Sequence, residues 1–290
     1  MKMVVLVENS SRCRLCAEHG LSVYIEYEGK TYLLDTGATA LFAENAKELG
    51  IDLSKVDTAF LSHAHYDHAN GMGKFFEINE KAPFYLQEGC GENCYFKKGF
   101  VRKYIGIPKG ITKRYQDRIK YVSGICPIAE GIYLVSHSTP HLEQIGKKEM
   151  MYQKTKLGWK PDNFCHEQSL VLDTDSGLVI FNSCSHGGVV NIINEVKAAF
   201  PNKKITALIG GFHIFNHPEE EIRELAKLIK ETGIERIYTG HCSKERGYRI
   251  LREELGDMAG QFYVGIRVLA HVLICRIESK CEVLINGERT

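Results

Sequence analysis

"VDTAFLSHAHYDHANG", residues 56–71, decides how this 290-residue chain is to be read. It opens as a short apolar run, with Val56, Ala59, Phe60 and Leu61, which suits a buried strand. Three histidines and an aspartate then arrive within six positions: His63, His65, Asp67 and His68. In a loop at a strand end, side chains two apart can point into one space while the next pair faces a second. A lone histidine is ordinarily a satisfied structural residue. His-x-His-x-Asp-His is far more specific and reads as two adjacent metal positions.

Working outward, apolar and β-branched runs predict strands at 3–8, 21–27 and 31–37, with "EGK" as a tight hairpin between the last two. Residues 39–50 carry Leu41, Phe42, Ala46 and Leu49 at helical spacing, between a Thr39 cap and Gly50. After a strand at 82–87 the periodicity fades, and the stretch 88–165, rich in glycine and proline, reads as an insertion in a single domain spanning 1–290. Regular structure returns with "QSLVLDT" and "GLVIFNS" around a "DSG" turn. A helix at 188–200, strand "ITALIG", a helix at 218–231, strand "RIYTG" and a helix at 244–255 follow. Two β-rich halves with helices outside predict two packed sheets flanked by helix layers.

Composition is that of an ordinary globular chain, 44% hydrophobic and 25% charged, which excludes a disordered one. The net charge of +1 is uneven: residues 97–120 hold nine Lys or Arg against Asp117. Such a run is a solvated surface or an anion contact; without aromatic interleaving it is thin support for nucleic acid. The amino terminus lacks the long apolar core of a secretory signal, and no run approaches a membrane span. The expectation is a cytoplasmic protein with no membrane partner, its ten cysteines kept as thiols or used on metals.

The histidine motif after an apolar strand, together with "DTG" at 35–37, resembles the metallo-β-lactamase superfamily. That resemblance implies an α/β four-layer αββα sandwich with the metal site at one edge between the sheets. It also implies that His63 and His65 hold a first ion and Asp67 and His68 a second. Cys184 falls where the family has its bridging aspartate or, in some branches, a cysteine, and His241 where it has its last histidine. Two residues compete for the remaining ligand position, His166 before Cys184 and His186 after it. Two divalent ions would hold a hydroxide between them, with zinc the expected metal and iron or manganese the alternatives. Asp67 is read as orienting that hydroxide and taking its proton, with His68 beside it in the catalytic group. His19 and His213 are read as substrate-side groups.

Several strings resemble one branch of the family: "VENSS" (7–11), "AEHGLS" (17–22), "HAHYDHANG" (63–71), "CSHGG" (184–188), "GGFHI" (210–214) and "GHCS" (240–243). That branch contains predicted metal-dependent hydrolases and the dihydropterin ribofuranosyl-aminobenzene phosphate synthase. The leading expectation is a hydrolase acting on a small, anionic, perhaps phosphorylated molecule. A synthase-like transferase and an iron-containing redox or sensing protein are the alternatives. Finally, Cys13 and Cys16 with Cys90 and Cys94 form C-x2-C and C-x3-C pairs, which can wrap zinc or an iron–sulfur cluster but are ordinarily unpaired loop thiols.

Overall fold

Alternation along the first strand, Lys2–Val7, shows how the chain is layered. Met3 and Val5 join an inner cluster with Ile25, Phe60, Leu134, Leu170, Phe181 and Ile209. Val4 and Leu6 point the other way, against Phe42, Ala46, Met72 and Phe75. A strand buried on both faces must carry apolar residues at successive positions, which is why this one reads as a continuous run.

The computed structural model describes residues 1–271 and 274–278. Among them, one eight-stranded sheet runs in the order 274–278, 267–271, 2–7, 22–27, 30–34, 58–60, 84–87 and 119–122. A seven-stranded sheet runs 259–261, 236–239, 205–209, 177–181, 168–174, 132–136 and 125–129. The inner cluster lies between these two sheets. Helices Leu41–Glu48 and Met72–Ile78 cover the outer face of the first. Helices Val189–Ala199, Glu219–Glu231 and Lys244–Leu255 cover the outer face of the second through Ile192, Val196, Ile222, Ile229 and Ile250. The result is the helix–sheet–sheet–helix sandwich expected. The hairpin at "EGK" also forms, with Glu28 and Gly29 at φ of 48° and 71°, as a two-residue turn requires.

Residues 88–165 are more ordered than their weak periodicity suggests. They supply strands to both main sheets, Ile119–Val122 to the first and Ile125–Ala129 and Ile132–Ser136 to the second. They also build a four-stranded sheet in the order Gly158–Pro161, Met151–Thr155, Cys94–Lys98, Val101–Tyr104. These strands are four or five residues long and half-exposed, so the apolar alternation has too few positions to register. The basic run is divided by this packing. Arg118 donates to the carbonyls of Asn79 (2.6 Å) and Ala82 (2.8 Å), Lys97 lies over Trp159, and Lys103 faces a pocket.

What positions that pocket is strand direction. Strands Lys30–Leu34, Thr58–Phe60 and Phe84–Gln87 run parallel, as do Gly177–Phe181, Ile205–Ile209 and Arg236–Thr239. In parallel sheets the loops leaving the C-terminal ends share one edge, where ligand sites concentrate. Those loops carry Asp35, the His63–His68 motif, Cys184, His213 and His241. Among the described residues no helix is long and apolar enough to cross a membrane.

Candidate metal centre

Backbone strain marks the site before any side chain is considered. Asp35, Ser185, His213 and His241 have φ between 47° and 58°, the left-handed region that L residues seldom occupy. Each follows a strand of the parallel edges; His213 and His241 line the pocket there, while Asp35 and Ser185 are buried with hydrogen-bond partners of their own. The pocket there has a volume of about 660 Å³ and includes His19, His65, Asp67, Cys184, His186 and His241 in its walls.

His63, His65 and His186 form one group, with one ring nitrogen of each lying within 4.8 Å of the others. Nε2 of His63, Nε2 of His65 and both ring nitrogens of His186 are buried with no hydrogen-bond partner. Leaving such atoms unsatisfied costs roughly 1–3 kcal/mol each, so a buried trio of them calls for a guest that accepts nitrogen lone pairs. Burial, followed by the neighbouring imidazoles, holds His63 and His186 well below the ordinary histidine range and His65 down to about 3. These rings are therefore neutral, the form that binds metal.

The second group gathers around Asp67. Its Oδ2 lies 3.6 Å from His68 Nε2 and 3.5 Å from His241 Nε2, and these two nitrogens are 3.2 Å apart. Burial works against the Asp67 charge, but His68, a hydrogen bond from His19 and then His241 outweigh it and keep the carboxyl well below the usual range. Cys184 Sγ, 3.4 Å from His68 Nε2, belongs with His63 and His68 in one group and with His241 in another. It joins the two halves of the site.

Outer partners fix which nitrogen each ring presents. Asp35, fully buried, accepts from His68 Nδ1 (2.8 Å), Ser62 Oγ (2.7 Å) and Ser183 Oγ (2.5 Å), so His68 turns Nε2 to the pocket. His63 Nδ1 is 2.9 Å from Ser62 Oγ, and His241 Nδ1 is 3.1 Å from Asn9 Oδ1, with the same consequence. Glu8 accepts the His241 N–H (2.5 Å), and Glu167 accepts the N–H groups of His186 and Gly187 (2.8 Å each). None of Asp35, Glu8, Asn9 or Glu167 stands out as a site residue in the sequence. The available signal was a polar residue directly after a strand, in "DTG" and "VENSS".

His166 and His186 separate clearly. While His186 groups with His63 and His65, His166 is buried in a group with His65, Cys94 and Asp162. Its Nδ1 accepts the Ala64 N–H at 3.2 Å, and its Nε2 meets Asp162 Oδ2 at 3.2 Å. Both of its nitrogens are used, whereas both of those on His186 are unpartnered. His19 reaches Asp67 Oδ2 at 3.2 Å and stacks on His241 at a ring distance of 5.2 Å. His213 lies 4.4 Å from the His186 ring, its Nδ1 3.0 Å from Glu149 Oε1. Burial opposes its charge, but the Glu149 hydrogen bond prevails and lifts it to about 9.

The four cysteines of the two short motifs are not gathered into one set. Cys90 and Cys94 lie against His166, whereas Cys13 Sγ approaches the Val264 carbonyl at 3.8 Å and Cys16 is exposed. The two pairs sit against different segments.

Residues 17–148 match the family model described as the metallo-beta-lactamase superfamily. A crystal structure of a metal-dependent hydrolase of the β-lactamase superfamily superposes with a TM-score of 0.79 at 27% identity, over 93% of this chain and 99% of that one. The fold and the family-model match liken the chain to the metallo-β-lactamase superfamily, the matched residues 17–148 being a little under half of it. The chain is 28% identical over 269 residues to the 7,8-dihydropterin-6-methyl-4-(beta-D-ribofuranosyl)-aminobenzene-5'-phosphate synthase of Methanocaldococcus jannaschii, covering 86% of this chain and 89% of the relative. Zn2+-bound PqqB from Methylobacterium extorquens shares the fold, with a TM-score of 0.56 at 12% identity over 93% of this chain and 100% of that one. Divalent metals, often zinc, are bound by members of the superfamily, and the unpartnered imidazole nitrogens described above fit such a guest.

Proposed function

We propose that this protein is a metal-dependent hydrolase that uses a two-metal centre on a small anionic substrate. The observation that carries the reading is the pair of convergent ligand groups on either side of Cys184, one of them three imidazoles with unpartnered nitrogens and the other gathered around the Asp67 carboxylate. His63, His65 and His186 would hold one ion, and Asp67, His68 and His241 the other, with Cys184 between them. Two divalent ions there would bring a bound water's pKa towards ~7 and polarise the bond under attack. Zinc is the proposed metal, because an imidazole-rich set with a thiolate suits it.

The protein's own groups supply the rest. Asp67, held ionised and oriented by His19, presents an acceptor towards the attacked side. His213, carrying a proton at neutral pH through Glu149, is placed to give it to a leaving group. Lys103, Lys148 and Lys244 line the same pocket as Tyr66, Phe96 and Phe215, a combination that suits an anion with a planar or apolar body. A phosphate ester is the anion proposed.

A second reading is favoured by the 28% identity to the Methanocaldococcus jannaschii synthase over most of both chains: a transferase of that kind. One assay series separates the two. Protein with its metal content measured is given a panel of phosphodiesters, thioesters and lactones, and separately a pterin pyrophosphate with an aminobenzene phosphate acceptor. Water-dependent turnover of the panel supports the hydrolase; pyrophosphate release only with the pterin pair replaces it with the transferase. Protein that takes up no metal from zinc, manganese or ferrous salts overturns both.

A further inference from the structure

Cys242 follows His241 directly and is absent from the sequence motif that marks the site. It is buried, yet it lines the pocket. Its sulfur forms a group with Cys184 and His241 in which the candidate ligand atoms lie within 4.8 Å of one another. The backbone N–H of His213 donates to Cys242 Sγ at 3.2 Å, the kind of contact that supports a sulfur carrying negative charge. Gly211 keeps the room for it: a Cβ at that position would fall on the Cys242 sulfur. The left-handed backbone at His241 and His213 brings the two segments together from separate strands.

We infer that Cys242 is a second thiolate ligand of the centre, so that the position around His68 and His241 is held by two imidazoles and two sulfurs, from Cys184 and Cys242. This rests on the metal-centre reading of the pocket and adds a division of labour to it. Two nitrogens and two thiolates are the donor set of a closed, structural zinc position, whereas the three imidazoles of His63, His65 and His186 leave a fourth coordination place open for water or substrate. The water-activating role then falls to the His63 side, and the His241 side anchors the loops and adds charge. Two sulfurs also set metal preference, because soft thiolates favour zinc or ferrous iron over manganese or magnesium. In this arrangement Cys184 serves the His241 position alone rather than both ions, and Asp67 stands beside that position as a carboxylate tied to His19 rather than as a ligand.

The test counts sulfur atoms. X-ray absorption on the zinc-loaded full chain should show a zinc–sulfur shell near ~2.3 Å corresponding to two sulfurs per two zincs. That shell should fall by half in Cys242→Ser, and zinc should lose at least ~10-fold of its advantage over manganese in competition dialysis. Two zincs with one sulfur in the natural protein overturn the inference while leaving the hydrolase reading in place, and so does a sulfur shell that Cys242→Ser leaves unchanged. A chain that binds no zinc overturns both. If Cys242→Ser does not fold, Cys184→Ser decides instead: a zinc–sulfur shell that survives there comes from Cys242, and one that vanishes while zinc stays bound overturns the inference.

Discussion

Two clusters of buried histidine flank His65, and they are opposites. In front, His63, His65 and His186 converge with ring nitrogens that meet nothing. Behind, Cys94, Asp162 and His166 form an equally buried set of ligand types within the same 4.8 Å, but most of its hydrogen-bonding capacity is used. Asp162 accepts from Gln153 Nε2 and the Phe164 N–H at 2.8 Å each and meets His166, which in turn takes the Ala64 N–H. Both sets are of metal-ligating residue types, and both are buried. Unmet hydrogen-bonding capacity is what distinguishes a place prepared for a guest from a buried polar network that braces a loop.

The contrast is broken most directly at His186. His186→Ala should remove one of two zincs per chain and lower turnover by more than the ~10–100-fold expected for a residue that only supports a ligand. Metal analysis alongside kinetics checks this, and a variant that keeps both zincs sinks the distinction. His166→Asn should do the reverse. Both zincs stay, while the lost support of Ala64 and Asp162 costs ~1–3 kcal/mol in denaturant unfolding.

Acid should sharpen the same comparison in metal-free protein. His65 is held down to about 3 against 6.5 in the unfolded chain, with His63 and His186 also lowered. Between those values the unfolded chain binds more protons than the folded one, so stability rises with pH across that window. Stability is fully present above about 6.5 and drains away as pH falls towards about 3, at up to ~1.4 kcal/mol per pH unit for each such group. Denaturant midpoints of the chelated protein from pH 7 to 4 measure it. The slope should shrink in His186→Ala and persist in His166→Asn.

Much of this was legible in the chain. The strands before His63, Cys184 and His241, the helix Leu41–Glu48 and the three helices of the second half follow from apolar periodicity, because each buries a face against a sheet. The motif His63–His68 declared itself because its members are neighbours along a single loop. The short strands of residues 94–161 escaped because four or five half-exposed positions carry little pattern.

Sequence alone determined which segments bring ligand chemistry to strand ends: residues 63–68, Cys184, and His241. Only the tertiary structure placed His186 beside His63 with its nitrogens unpartnered and gave His166 two partners, set Asp35 behind His68, and brought Cys242 beside Cys184. The reason is directional. Spacing along a chain locates a residue near a strand end, but the turn that follows, left-handed at Ser185 and His241, decides which way the next side chain points and whether its lone pairs are already taken.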